Sequence, residues 1–152
     1  MPGLSAGCPS VPAMRSGPFW DVVEGRAPAP PVADLLGFQL RQVDPDAMTI
    51  EVEFTATAAF LNPAGHVQGG MLAAMLDDTM GPALVATLLD GEWAPTTDLH
   101  VQFLRPALPG VLTGRGRVVR RGGSTAFLAG ELTDGDGRLV ATAIATATVR
   151  AG

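Results

Sequence analysis

The chain has 152 residues, 47% of them hydrophobic and 16% charged, with nineteen glycines and a net charge of −5. That is one globular domain with a single core and many turns, and its acidic balance and lack of an arginine cluster argue against a nucleic-acid binder. The single cysteine, Cys8, excludes an internal disulfide framework and a multi-cysteine metal site.

All ten basic residues are arginine, which reflects compositional bias and not a function. No basic start is followed by an apolar stretch, so no secretory signal is read and a cytoplasmic setting is expected. The longest apolar run, Met71 to Leu89, is interrupted by Asp77, Asp78 and Gly81-Pro82 and makes a poor membrane span.

Residues 1–18, rich in Pro, Gly, Ser and Ala, are predicted to be a flexible N-terminal tail, leaving 19–152 as the folded domain. Phe19 to Val23 is predicted to be a short helix whose aromatics cap a core or an interface. Ala27 to Pro31 is a proline-rich connector. Asp34-Leu35-Leu36-Gly37 reads as a last helical turn stopped by glycine, leading into a strand over Phe38 to Val43. Asp44-Pro45-Asp46 is a turn. From Met48 to Phe54 apolar and polar residues alternate strictly, the pattern of a half-buried strand.

The segment Asn62 to Met80 organises the rest. It opens on a turn, passes the pair Gly69-Gly70, and enters a run of Met, Leu and Ala, all strong helix formers. No residue from Met71 to Leu76 is polar, so the helix is expected to be buried all round. It is expected to run on past Leu88 to a stop at Asp90-Gly91, kinked or split at Gly81-Pro82. Into that apolar setting fall Asp77 and Asp78, and a buried charge is costly unless it is paired or protonated. At the helix start, bare glycine N–H groups and a partial positive charge suit a carbonyl that becomes an oxyanion. Asp77 lies eight residues beyond Gly69, ~12 Å of axial rise, which is too far for the two to act directly on one carbonyl within one chain. A ligand lying along the helix, or one shared with a neighbouring subunit, would reach both. The plainer alternative is a tight loop-to-helix joint with a solvated acid pair.

The remainder reads as strands. Asp98 to Leu104 alternates Leu99, Val101 and Phe103 against polar residues. Val111 to Arg121 carries Gly114 and Gly116, which signal a bend or a close neighbour. Thr125 to Thr133 follows the Gly122-Gly123 turn, and Asp134-Gly135-Asp136-Gly137 marks a hairpin. Leu139 to Arg150 ends the chain with an alanine face at Ala141, Ala143, Ala145 and Ala147. One helix and sequential antiparallel strands make an α+β domain, a curved sheet wrapped around the helix, and its exposed edges favour an oligomer.

These residues resemble the hotdog-fold acyl-CoA thioesterases of the PaaI-like, phenylacetate-pathway type. The likeness runs from about Phe19 to Arg150. It rests on Pro-Pro-Val-Ala-Asp-Leu-Leu-Gly-Phe, on Asn62 through Gly70 with Asp77, on Thr96-Thr97-Asp98-Leu99, on Phe103-Leu104-Arg105-Pro106, and on Asp-Gly-Arg-Leu-Val-Ala. It implies a cytoplasmic hydrolase of acyl-CoA acting as a homo-oligomer, a dimer or a homotetramer built as a dimer of dimers, with sites between subunits. No cofactor is implied, CoA being part of the substrate, and no metal. Asp77 would be the catalytic carboxylate, as general base or as nucleophile. The Gly69 N–H would polarise the thioester carbonyl, Asn62 would help hold carbonyl or water, and Thr96 of the other subunit would orient the water. Gln68 stands where many members carry histidine; it can donate a hydrogen bond but cannot titrate. His66 compensates for it or simply caps the loop, and Gly70 continues the helix-start site. Asp78 is expected to be a solvated or interface-paired neighbour. Arg120, Arg121, Gly122, Gly123, Ser124 and Thr125 form a candidate cradle for CoA phosphates, with Arg105 as another candidate. Met71, Met75, Trp93 and Phe60 would line the acyl pocket. A non-catalytic acyl-CoA binder and a hotdog enoyl-CoA hydratase are the alternative functions.

Overall fold

The computed structural model describes residues 15–152. Cys8 and most of the expected tail lie outside that range, but the tail's last residues are already engaged: Ser16 Oγ donates to Asp90 Oδ1 at 2.6 Å. Helix α1 (Pro18–Val23) starts on a proline, whose fixed φ and missing N–H suit a first helical turn. Helix α2 (Pro31–Leu36) starts the same way and stops at Gly37, which is left-handed at φ 66°. A Cβ there would also lie 2.8 Å from Thr55 Cβ, so only glycine fits.

Strand β1 (Gln39–Asp44) turns through an Asp44 carboxylate that accepts the Asp46 and Ala47 N–H groups. In strand β2 (Thr49–Ala56) the alternation holds as read, with Ile50, Val52, Phe54 and Ala56 buried. After a short 3-10 turn at Ala58–Phe60 comes helix α3 (Gly69–Val85). Strands β3 (Glu92–Trp93), β4 (Thr96–Phe103), β5 (Gly110–Arg121), β6 (Thr125–Thr133), β7 (Leu139–Thr148) and β8 (Arg150–Ala151) complete the chain. Six of these strands make one antiparallel sheet in the order β1-β2-β5-β6-β7-β4, with β4 at one edge; β3 and β8 pair separately. A sheet of this order around one long helix is the expected hotdog arrangement.

Glycines let α3 sit close on the sheet. A Cβ at Gly114 would fall 2.3 Å from Thr79 Oγ1, one at Gly116 3.0 Å from the Thr79 carbonyl, and one at Gly130 2.8 Å from Met80 Cγ. The close-neighbour reading of Gly114 and Gly116 therefore holds. Thr79, fully buried, satisfies its hydroxyl by donating to the Met75 carbonyl at 2.7 Å. Ala141, Ala143, Ala145 and Ala147 are buried in the same core.

Two expectations for α3 need correction and a third is narrowed. It is buried on one side only: Leu72, Met75, Leu76, Thr79, Met80, Ala83 and Leu84 face the core, while Gly70 and Asp77 are exposed. An apolar sequence without polar periodicity does not reveal which side lacks a partner within the chain. Gly81-Pro82 does not split the helix, although Pro82 has no N–H to offer the Asp78 carbonyl four residues back. The helix also ends earlier, at Val85, before the Asp90-Gly91 signal.

Candidate active site

The open side of α3 carries the acids. Thr96, the first residue of β4, donates its hydroxyl to Asp77 Oδ1 at 2.9 Å. Oδ2 of the same carboxylate makes no hydrogen bond among the described residues and is left to take a proton or a ligand. Both residues belong to one chain, which corrects the expectation that a partner supplies the Thr96 hydroxyl. The Thr96 end of the edge strand simply passes close to the helix.

Asp78 departs further from expectation. It is the more buried of the two acids, and its Oδ2 is shut away from water with no hydrogen-bond partner among the described residues. Burial, and then the neighbouring Asp77 charge, push its carboxyl up to about 6. Asp77, Asp78 and Thr96 line a groove of about 720 Å³ whose other walls are mostly apolar and come from α1, the linker, α2 and Phe38. The residues expected to line an acyl pocket do not line this one. Met75 and Phe60 are buried in the core, Met71 is half-buried at the start of α3, and Trp93 sits on the β3–β8 pair with Arg150 over its ring.

At the other end of α3, Gln68 precedes the first helical residue; its side chain makes no capping bond and is exposed. Among the described residues the Gly69 and Gly70 N–H groups find no acceptor, as expected of a helix start. A Cβ on Gly69 would meet the Phe103 ring at 3.2 Å. Phe103, which alternates with polar residues along β4 together with Leu99 and Val101, sits over this helix start and remains 54% exposed. Asn62 holds the loop: its Oδ1 accepts the Ala64 and His66 N–H groups, leaving its NH₂ as the part open to a ligand. His66 is half-buried, and its carbonyl accepts the Asn62 N–H. Gly69, Gly70, Asn62, Gln68 and His66 therefore form one cluster and Asp77 with Thr96 another. The groove contains the second and not the first.

The proposed phosphate cradle is a tight turn, with the Gly122 N–H donating to the Thr125 carbonyl and the Val149 N–H to the Ser124 carbonyl. Arg121 is drawn toward Glu92 at 3.7 Å, so it is not a free hand for phosphate, whereas Arg120, Gly123 and Ser124 are exposed. Arg105 donates to the Leu139 carbonyl at 3.0 Å and shapes its own turn. Among the described residues no three His, Cys, Asp or Glu side chains are placed to hold a metal ion. No helix among them is long and apolar enough to cross a membrane.

Known proteins share this frame. A phenylacetic acid degradation-related protein of Ralstonia eutropha JMP134 is 50% identical, with a TM-score of 0.83 over 86% of this chain and 98% of that one. AziG of S. sahachiroi is 26% identical, with a TM-score of 0.75 over 81% of this chain and 98% of that one. The E. coli PaaI protein, at 24% identity and a TM-score of 0.77 over 88% and 94% of the two chains, shows the fold alone. A Saccharolobus solfataricus protein named for esterase activity is 33% identical over 93 residues, which is 61% of this chain and 66% of that protein's length. A family model described as the thioesterase superfamily matches residues 64–141. That match takes in α3 with Asp77 and all of β4, β5 and β6, just over half of the chain, and so the chain belongs to the thioesterase superfamily.

Proposed function

We propose that the protein hydrolyses acyl-CoA thioesters to the free acid and CoA. The observation that carries this reading is the Asp77 carboxylate on the open side of α3, oriented by the Thr96 hydroxyl at 2.9 Å and placed in an apolar groove. In this mechanism Oδ2 of Asp77 takes a proton from water as the water oxygen attacks the thioester carbon. The oxyanion rests on the Gly69 N–H, the C–S bond breaks, and CoA leaves as thiolate and collects a proton. One such oxyanion donor contributes on the order of 3 kcal/mol. Direct attack by the Asp77 carboxylate is the variant of the same reading.

Because Gly69 and Asp77 of one chain are ~12 Å apart along the helix, the reading joins Asp77 of one copy to the helix start of a second. The position of β4 at the edge of the sheet supports such an assembly. The Asn62 amide NH₂, Gln68, His66 and Gly70 surround the carbonyl site, and Arg120, Gly123, Ser124 and Thr125 meet the CoA phosphates, with Arg121 joining only if it leaves Glu92.

The test is thiol release from a panel of acyl-CoAs by wild type and Asp77→Ala. Turnover by wild type that disappears in the variant supports the reading. Tight binding without thiol release would replace it with an acyl-CoA binder, and hydration of crotonyl-CoA with a hydratase.

A further inference from the structure

We infer that the N-terminal arm, α1 with the linker to α2, is the wall of the acyl pocket and decides which acyl groups are accepted. This rests on the thioesterase reading above. A thioester whose carbonyl sits at Asp77 has two ends to place, and only one fits the groove. Among the described residues its polar side chains are Asp21, Asp77, Asp78 and Thr96, three carboxylates and one hydroxyl, and no cation lines it; Asp21 is paired with Arg26 at its rim, which leaves Asp77 and Asp78 as the uncompensated acids. Phosphates would be repelled by the Asp77 and Asp78 carboxylates, and the amide carbonyls of the CoA arm would meet no cationic side chain and one hydroxyl already given to Asp77. The remaining walls, with Phe19, Val22 and Val32 on the arm side and Ala74, Pro82 and Val85 on α3, suit a hydrocarbon.

The volume sharpens the class. A groove of about 720 Å³ would be nearly empty around an acetyl group, so the substrate carries a bulky apolar acyl group, a medium-length chain or an aryl-bearing one. The wall is an adjustable part. Helix α1 buries none of its residues fully. It is tied to the far end of α3 by the Trp20 Nε1–H donated to the Ala86 carbonyl at 3.3 Å, and by the Ser16–Asp90 bond at 2.6 Å. Exchange of an arm side chain therefore alters the pocket without touching Asp77, Thr96 or the packed side of α3.

Two variants of the full chain test this, each assayed by thiol release from acetyl-, hexanoyl-, lauroyl- and phenylacetyl-CoA and by size-exclusion with light scattering. Val22→Trp, which fills the groove, is expected to lower kcat/KM for lauroyl- and phenylacetyl-CoA about tenfold or more while acetyl-CoA changes less than about threefold. Phe19→Ala, which widens it, is expected to move the preference the other way. Wild-type turnover with the same proportional change on all four substrates in both variants overturns the arm's role and leaves the thioesterase reading standing. A loss of assembly in Val22→Trp also overturns it, because the groove then seats a second copy of the chain. A wild type that releases no thiol from any of the four removes both.

Discussion

Helix α3 has two sides built to opposite rules. Toward the sheet, Leu72, Met75, Leu76, Thr79, Met80 and Ala83 are fully buried, and three glycines of β5 and β6 bring the strands so close that a single methyl group would collide. The buried polar side chain there, Thr79, is answered, its hydroxyl donating to the Met75 carbonyl. Away from the sheet the same helix shows Ala74, Asp77, Asp78, Gly81, Pro82 and Val85 to a groove, with one buried acid oxygen, Asp78 Oδ2, left without a partner among the described residues. The packed side leaves no freedom and holds the fold; the open side keeps unsatisfied chemistry that only a ligand, a proton or another chain can answer. Substitutions on the two sides should therefore separate stability from activity.

The largest effect is expected at Asp77. Asp77→Asn removes the carboxylate that takes the proton from water in the proposed mechanism, and kcat should fall about 10³-fold, within the range for a lost general base. Thermal unfolding should barely move, since the residue is exposed. A variant with a lowered Tm and a proportionate loss of folded protein would break the division between the sides. Gly114→Val is the converse. Its side chain has nowhere to go between Thr79 and Val52, and overpacking of this kind is expected to cost about 3 kcal/mol. For a chain of this size that is a Tm lower by about 6–12 °C in calorimetry, with kcat per folded molecule preserved.

Thr96→Val sharpens the open side by removing one hydrogen bond from the Asp77 carboxylate. Loss of a bond to a charged group at an exposed position should lower kcat about tenfold, with KM little changed if Thr96 orients the carboxylate and does not hold substrate. An equal rise in KM would move Thr96 into the binding contacts.

The packed side was largely legible in the sequence. Strict alternation marked Ile50, Val52 and Phe54 as one face of a half-buried strand, and Gly114 and Gly116 two apart in a strand signalled a bend or a close neighbour, of which the structure shows the neighbour. The Asp134-Gly135-Asp136-Gly137 turn needed only local chemistry. The two-residue strands β3 and β8 carry too few side chains to show any period. The open side was less legible for a reason of its own. Apolar residues surround the helix in sequence, and which of them lack a partner depends on where α1 and α2 come to rest. Thr96 and Asp77 are nineteen residues apart, on a strand and a helix, and residue chemistry alone gives no reason to pair them; Asp77 stood out as a charge in an apolar helix, Thr96 only through the family resemblance. The relative burial of Asp77 and Asp78 could not be read from two identical side chains in succession, since it follows from the helix's rotation against the arm.

Asp78 yields the smallest expected effect, and one whose size depends on pH. Its carboxyl rises from the ordinary 3.8 to about 6, through burial first and the Asp77 charge second, which corresponds to about 3 kcal/mol of added cost for charging it in the folded chain. The neutral form is favoured by folding, so the native state is relatively more stable below pH 3.8 and loses that advantage as pH climbs through about 6. Asp78→Asn removes the charge but leaves a polar amide where the unpartnered oxygen stood, so only part of the cost is recovered, about 1 kcal/mol. The variant should therefore melt about 2–4 °C above wild type at pH 8 and level with it near pH 4, in parallel thermal scans. A stabilisation of the same size at both pH values would mean that Asp78 is held by shape and not by its charge, and the open side of α3 would lose its one internal electrostatic penalty.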